Sequence, residues 1–244
     1  MIEFSLLGMM VGLLSGFFGI GGGTLSIPGM LYLGFNMKAA VGISVIQMVF
    51  SSIYGSYLNK RNGTLDIALV TTIGIGGLIG AQIGGYFLEY WSDKFLEMLF
   101  FILVIFSMIR IFISPKEHKE RIKHHPLILV AIGMVLGALS VSLGVGGSIL
   151  LVPILIGFLH VDIKSAISAG LFFVVFSSIS GLVSLSMSMD LDYISGIILG
   201  VTSLIGVRIG VHFKDKVDNK TQKTLLLIMY IVLALYLVIR MING

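Results

Sequence analysis

The chain has 244 residues, of which 57% are hydrophobic and only 11% are charged, and its mean hydropathy is +1.06. A soluble domain carries about a quarter of its residues as charged side chains, so this composition excludes a soluble helical protein and predicts a surface that faces lipid. The net charge of +4 comes from basic residues in short loops between apolar runs, which indicates membrane topology rather than nucleic-acid binding. The chain has no Cys, which excludes disulfides and thiolate metal sites.

The apolar runs predict ten helical segments, five on each side of a polar linker. Three runs, 39–59, 67–88 and 165–189, contain no charged residue and reach the roughly 20 residues that cross a hydrocarbon core as a helix. No basic region precedes the first run, so we expect a retained first helix rather than a cleaved signal. The predicted segments are about 2–18, 25–35, 39–59, 66–89 and 95–113, then 126–143, 149–160, 165–188, 193–213 and 221–242.

The two groups of five segments are copies of one another. Residues 12–23 align with 137–148 at an offset of 125, and one inserted residue later Phe50–Ile53 aligns with Phe176–Ile179. A register held over about 100 residues indicates duplication. The sequence therefore predicts a first transmembrane repeat at 1–113, a cytoplasmic linker at 114–125 and a second transmembrane repeat at 126–244.

The distribution of Lys and Arg predicts the orientation of the repeats. If each repeat crosses or re-enters the membrane five times, the repeats are inverted, and eleven of the sixteen Lys and Arg lie with the linker on the cytoplasmic side. If the first two segments formed one span, the repeats would be parallel and the count would be seven on each side. The positive-inside rule favours inverted repeats, although it does not separate re-entrant from spanning segments. The predicted fold is an all-α polytopic membrane protein with two inverted repeats, whose first helices are interrupted by glycines.

The interruptions are the Gly19–Thr24 and Gly144–Ser148 stretches, each between a helix of about 18 residues and a short apolar piece. Interrupted helices of inverted-repeat transporters hold the substrate near the midplane, and helix N-termini attract anions. Thr24 and Ser148 are at predicted N-cap positions. We expect both stretches to bind one anionic substrate, with close helix packing as the alternative role of the glycines.

Other polar residues within apolar runs are weaker candidates. Gln47 on the third segment could line a cavity, as could Ser177 and Ser178. Arg208 is the one cation well inside an apolar run, and either binds substrate or extends to the membrane surface. The glycine series at 76, 80, 84, 206 and 210 predicts helix packing. The candidate substrate-binding residues are Ser15, Gly19, Gly21, Gly22, Gly23, Thr24, Gln47, Ser140, Gly144, Gly146, Gly147, Ser148 and Arg208.

The middle of the apolar runs contains no Asp, Glu or His. A proton relay or cation pathway would need buried acids, and a hydrolase would need a nucleophile with its base or a set of metal ligands. We therefore predict no catalytic residue, no metal and no cofactor, and a protein that is not an enzyme.

The two motifs Gly19–Pro28 and Gly144–Pro153, together with Lys38–Ser44 and its weaker partner Lys164–Gly170, resemble the sulfite exporter TauE/SafE family. The resemblance extends over nearly the whole chain. It implies export of sulfite, sulfoacetate or related organosulfonates across the cytoplasmic membrane. The second motif has Ser148 where the first has Gly23, so the two half-sites need not contribute equally.

The sequence thus predicts a multi-pass secondary transporter in the cytoplasmic (inner) membrane, working by alternating access. Its expected partners are a small anionic substrate and the lipid bilayer, not nucleic acid, and a homo-oligomer remains open. An anion channel with the same repeats, or an intramembrane protein without transport activity, are the alternatives.

Overall fold

The computed structural model describes residues 2–113 and 126–243, and within these ranges the chain forms ten α-helices and no strand. The predicted linker 114–125 lies outside the described residues. The helices are α1 (Ile2–Phe18), α2 (Gly23–Tyr32), α3 (Met37–Arg61), α4 (Ile67–Leu88), α5 (Asp93–Ile113), α6 (Pro126–Leu143), α7 (Ser148–Gly157), α8 (Ile163–Ser188), α9 (Tyr193–Lys216) and α10 (Asn219–Asn243). All ten predicted segments are confirmed as helices, with ends that differ by a few residues.

Several helices begin where a polar side chain replaces the missing backbone acceptor of the first turn. Asn36 accepts a hydrogen bond from the Ala39 N–H at 2.8 Å before α3, and Asp162 accepts one from the Ser165 N–H at 3.0 Å before α8. These two caps occupy equivalent positions in the two repeats. Asp192 caps α9 in the same way, through the N–H of Ser195 at 3.0 Å. N-caps of this kind fix the start of a helix more sharply than hydropathy does.

Seven of the helices are long and apolar enough to cross a membrane: α3, α5, α6, α8, α9, most of α4 (Val70–Leu88) and α10. The outer surface of the bundle is apolar as well. On α5, large side chains that recur every three or four residues are exposed, namely Phe95, Met98, Ile102, Phe106 and Ile109. An apolar stripe of this size suits contact with lipid tails. The polytopic membrane class is therefore confirmed.

Glycines hold α4 against α6 and α1 against α9. A β-carbon added to Gly80 would collide with the backbone of Met134, and one added to Gly84 with that of Ala138. Gly12 and Gly16 of α1 meet α9 in the same way. The predicted packing role of these small residues is confirmed. Since residue numbers increase together along both members of each pair, the paired helices run parallel.

Exchanging the two repeats preserves this packing. α1 corresponds to α6 and α9 to α4, so the pair α1–α9 becomes the pair α6–α4. Likewise α3 packs on α9 as α8 packs on α4, and α2 packs on α3 as α7 packs on α8. The helices α3 and α8 pack directly on each other at the centre. Polar residues on these two helices are therefore placed in the middle of the bundle.

Candidate functional site

Two glycine turns interrupt the chain between α1 and α2 and between α6 and α7. We call Gly19–Gly23 the first glycine turn and Gly144–Ser148 the second. Their backbone requires glycine, because φ is positive at Gly19, Gly21 and Gly22 (69°, 71° and 80°) and at Gly144, Gly146 and Gly147 (62°, 77° and 67°). Residues with a β-carbon adopt this region only at a cost. The same three positive φ angles recur at the same three positions of both repeats.

The N-caps of α2 and α7 differ from the prediction. They are Gly22 and Gly147, and neither makes a side-chain capping hydrogen bond. Ser148 is the first residue of α7 and Thr24 the second residue of α2. Each helix begins directly after a glycine with positive φ, and Gly22 lies two residues before Thr24 whereas Gly147 lies one residue before Ser148. The two hydroxyls are therefore not used in capping.

The two glycine turns lie against each other. A β-carbon added to Gly23 would collide with the Gly144 carbonyl oxygen and lie 2.9 Å from Cα of Val145. From α8, a β-carbon on Gly170 would lie 3.1 Å from the Gly19 carbonyl oxygen and 3.2 Å from Cβ of Ser148. The two stretches that were predicted to bind one substrate are therefore adjacent in the structure.

Serines on α3 and α8 hold the backbone carbonyls of the turns. Ser44 Oγ donates to the Gly144 carbonyl at 2.7 Å, and Ser26 Oγ donates to Ser44 Oγ at 2.7 Å. Ser51 Oγ donates to the Gly21 carbonyl at 3.4 Å, and its counterpart Ser177 donates to the Gly146 carbonyl at the same distance. Because α3 reaches both turns, it connects the two repeats at the centre.

Five predicted polar site residues are buried without any hydrogen-bond partner for their side chains among the described residues. They are Ser15, Thr24, Gln47, Ser140 and Ser148, each at most 1% exposed, and Gln47 lacks a partner for both its Nε2 and its Oε1. Buried polar groups are nearly always paired, because an unpaired one costs about 1–3 kcal/mol. Such a concentration of unpaired groups around two turns points to a ligand site.

The unpaired side chains lie on or beside the turns. A β-carbon on Gly22 would lie 2.8 Å from Nε2 of Gln47, so this amide is directly against the first turn. A β-carbon on Gly147 would lie 3.1 Å from Cβ of Ser140. Ser15 is one helical turn before Gly19, whose N–H it binds through its own carbonyl at 2.8 Å. The sequence interpretation also weighed Ser178, whose hydroxyl is buried and unpaired in the same sense.

Backbone N–H groups add further donors. At the start of α2 and of α7, the first N–H groups have no carbonyl four residues earlier in the helix. In the first turns, the Gly22 carbonyl accepts hydrogen bonds from the N–H groups of Leu25 and Ser26, at 3.0 and 2.9 Å, and the Gly147 carbonyl accepts from those of Leu150 and Leu151, at 3.2 and 3.0 Å. Each N-terminus also carries a partial positive charge of about half a unit. One such terminus, at Gly23, touches the second glycine turn at Gly144, and the other, at Ser148, lies beside Gly170 of α8, which also borders the Gly19 carbonyl.

Arg208 is not among these residues. It is exposed on α9, because Gly206, Val207 and Gly210 are the buried residues that face α1. Its counterpart Gln82 is also exposed and donates to the Ser180 carbonyl at 3.1 Å. The structure therefore brings together the other twelve predicted residues and leaves Arg208 on the outer surface.

Lys214 is a functional candidate that was not predicted from the sequence, where it entered only the count of the eleven cytoplasmic Lys and Arg residues. The side chain is fully buried and donates to Asn59 Oδ1, to Ser168 Oγ at 2.9 Å and to Thr64 Oγ1 at 3.3 Å. Asp215 Oδ1 is 3.5 Å away. Helical periodicity could have found it, because residue 214 follows the inward-facing residues 207, 210 and 211 at spacings of seven, four and three.

Proline within the short helix α7 explains one further buried contact. Pro153 has no N–H, so the carbonyl of Ile149 loses its helical partner. The hydroxyl of Tyr230 on α10 donates to this carbonyl at 3.0 Å. The first turn of α7 is thereby bound to α10.

Comparison with known proteins agrees with this architecture. The model of the sulfite exporter TauE/SafE family matches residues 4–237. A probable membrane transporter protein of Methanocaldococcus jannaschii is 27% identical over 242 residues, which covers 91% of this chain and 89% of that protein. A probable membrane transporter protein of Bacillus subtilis is 23% identical over 256 residues, covering 94% and 93%. One of Haemophilus influenzae is 28% identical over 192 residues, covering 75% and 72%.

No solved structure matches the chain. The family match nevertheless extends over both glycine turns and all but the last residues of the second repeat. The relatives are named as transporters and match over most of their length, which agrees with the prediction that the protein is not an enzyme. The chain belongs to the sulfite exporter TauE/SafE family of membrane transporters.

Proposed function

We propose that the protein is a secondary transporter that exports small sulfur-containing anions, such as sulfite, sulfoacetate or related organosulfonates, across the cytoplasmic membrane. The observation that carries the proposal is the meeting of two glycine turns surrounded by five buried side chains without partners. The family match supports the class of substrate. The substrate would lie between the turns and accept hydrogen bonds from Thr24, Gln47 and Ser148.

The electrostatics of this region favour an anion. Lys214 is the only charged side chain that is buried among the described residues, and it contacts Asn59, twelve residues after Gln47 on α3. At 1.5 Å per residue, that is about 18 Å along the helix axis. Among the described residues, none of the buried side chains is a carboxylate that would oppose an anion at the turns, whereas hydroxyls, an amide and two helix N-termini are available to bind one.

Contacts at the two ends of the bundle support the inverted arrangement. At one end, the last turn of α3 (Asn59) and the second turn of α8 (Ser168) meet at Lys214. At the other end, Lys38 at the start of α3 donates to the carbonyl of Glu89 after α4. The equivalent helices α3 and α8 therefore enter the bundle from opposite ends. This is what alternating access between inverted repeats needs.

The end that contains Lys214 is proposed to be cytoplasmic. The basic residues Lys60, Arg61, Lys164 and Lys216 lie on helix ends that meet there, in agreement with the positive-inside rule. Arg240 near the end of α10 pairs with Glu97 near the start of α5 at 3.1 Å. Because α5 starts at the same end as Lys38, it finishes at the Lys214 end, which supports the predicted cytoplasmic side of the linker 114–125.

Burial of the site favours a carrier over a channel. The five unpaired side chains are at most 1% exposed, so this conformation closes the site from both ends. A carrier passes through such an occluded state, whereas an open channel has a continuous path. An inside-negative potential supplies about 2.3 kcal/mol per 100 mV for each negative charge that leaves the cell.

The test is uptake of radiolabelled sulfite into proteoliposomes that contain the purified protein. We expect saturable uptake that is at least tenfold lower in Thr24→Val and Ser148→Ala. Ser107→Ala is the matched control, because Ser107 is also buried and unpaired but lies on α5, away from the turns. Uptake that does not saturate would favour the channel, and absence of uptake of any sulfur anion by folded protein would contradict the proposal.

A further inference from the structure

We propose that the site between the glycine turns selects an anion that carries a single negative charge and retains one hydrogen-bond donor. This inference rests on the proposed function and concerns the charge and protonation of the bound species. For an oxyacid such as sulfite, it assigns the hydrogen sulfite form rather than the doubly charged form. For organic substrates, it assigns a singly charged sulfonate with a hydroxyl or similar donor, and it disfavours sulfoacetate, which carries both a sulfonate and a carboxylate charge at neutral pH.

The positive charge that the site supplies is sufficient for a single negative charge on the ligand. The helices α2 and α7 each have ten residues, and their N-termini are the positive groups at the two glycine turns. At about half a unit each, they offset roughly one negative charge. Along α3, the nearest charged side chains by helical rise are Lys38, about 14 Å from Gln47 and bound to the Glu89 carbonyl, and Lys214, which contacts Asn59 about 18 Å from Gln47. A second negative charge would have nothing to offset it.

The energy needed to remove the anion from water also favours a single negative charge. The energy of transferring an ion into a medium of low dielectric constant increases with the square of its charge, so a doubly charged anion costs about four times as much as a singly charged one. The side chains around the turns are neutral hydroxyls and one amide, and all are fully buried. These neutral hydrogen-bonding side chains are suited to stabilising a ligand with a single negative charge within the membrane.

The side-chain amide of Gln47 favours a ligand that retains one hydrogen-bond donor. Both its Nε2 and its Oε1 lack a partner in the described part of the chain. Whichever way the amide is turned, it presents one acceptor oxygen and one donor group. A fully deprotonated oxyanion offers acceptors only and would leave the amide oxygen unpaired. A ligand with one remaining proton on oxygen, or with a hydroxyl, satisfies both atoms of the amide.

The test is equilibrium binding to the purified full-length protein in detergent, measured between about one pH unit below and two units above the second pKa of sulfurous acid. We expect the Kd for total sulfite to increase tenfold for each pH unit above that pKa, and to be constant when expressed as hydrogen sulfite. Methanesulfonate, which has a fixed single charge, controls for titration of the protein and is expected to bind equally at each pH. Sulfate, which is doubly charged throughout, is expected to bind at least 100-fold more weakly than hydrogen sulfite.

The donor requirement is tested with a pair of singly charged sulfonates. Isethionate carries a hydroxyl and methanesulfonate does not, so we expect tighter binding of isethionate to the unchanged protein and loss of this preference in Gln47→Met. Sulfite affinity that follows the doubly charged form, or sulfate binding as tight as hydrogen sulfite, would overturn the inference while leaving the proposed function intact. Absence of binding by every sulfur anion would instead contradict the proposed function.

Discussion

The buried Lys214 gives a prediction whose size follows from its contacts. Asn59→Leu removes the amide oxygen that accepts from Nζ, and leaves the ammonium buried with Ser168, Thr64 and Asp215. A hydrogen bond to a charged group contributes about 1.5–3 kcal/mol, so Asn59→Leu should destabilise the protein by that amount. Lys214→Met alone should cost about 1–3 kcal/mol, since the buried oxygen of Asn59 then has no donor.

The double variant Asn59→Leu, Lys214→Met should recover most of this loss. Without the ammonium, Thr64 and Ser168 still pair with each other at 2.8 Å, and Ser168 still donates to the Lys164 carbonyl at 2.9 Å. Replacing a buried charge and its partner together by apolar residues of similar size is often close to neutral. We therefore expect the double variant to lie within about 1 kcal/mol of the unchanged protein.

The assay is unfolding in mixed micelles of a mild detergent and sodium dodecyl sulfate, followed by circular dichroism. Lys164→Met is the matched control, because Lys164 donates to the Asp215 carbonyl at 3.1 Å but is only half-buried, and should cost less than about 1 kcal/mol. If the double variant is as unstable as the sum of the two single variants, Lys214 and Asn59 are not coupled and the reasoning is refuted.

Three further predictions concern packing, a buried hydroxyl and pH. Gly80→Ala places a β-carbon against a backbone carbonyl of α6 and should prevent α4 and α6 from packing. In the control Gly63→Ala, the added β-carbon meets nothing within 4 Å. This control should cost only the strain of its positive φ, about 1–2 kcal/mol. Tyr230→Phe leaves the Ile149 carbonyl without a donor and should lower the free energy of unfolding by about 1–3 kcal/mol without changing the helix content. The hydroxyl and the N–H of Ser195 donate to Asp192 and hold the pKa of this carboxyl below its ordinary value. The contribution of Asp192 to stability is therefore present above the pKa of the unfolded chain and is lost as the pH falls through the lower folded pKa. Asp192→Asn should make the melting temperature less dependent on pH in that range.

Each of these has an outcome that contradicts it. Yields and melting temperatures of Gly80→Ala equal to those of Gly63→Ala would show that α4 and α6 tolerate separation. An unchanged midpoint for Tyr230→Phe would show that water or another group satisfies Ile149. If Asp192→Asn loses stability in acid as steeply as the unchanged protein, other carboxylates account for that loss.

The helices could be predicted because their signals are local. Hydropathy marks each run, and residues such as Asn36 and Asp162 supply the caps that start α3 and α8. The glycine turns could be predicted because duplication repeats them at a fixed offset. The N-caps of α2 and α7 could not, since the choice between Gly22 and Thr24 depends on which glycine takes the positive φ, and several are available.

The environment of the charged residues could not be predicted from the sequence alone. Lys214 and Arg208 lie six residues apart on α9, yet one is buried and the other exposed. The difference is set by partners far away in the chain, since Asn59 and Ser168 surround the first and no described helix covers the second. By contrast, Gln47 was predicted as a site residue, and Gly22 of the first glycine turn lies against it.

The central claim is that one anion lies between the two glycine turns, and anomalous diffraction tests it most directly. Selenite has the shape and charge of sulfite, and its selenium is located without ambiguity in crystals grown with it. We predict a single anomalous peak within hydrogen-bond distance of Thr24, Gln47 and Ser148. A peak beside Lys214 instead, or no peak between the turns in protein that binds selenite in solution, would contradict the account.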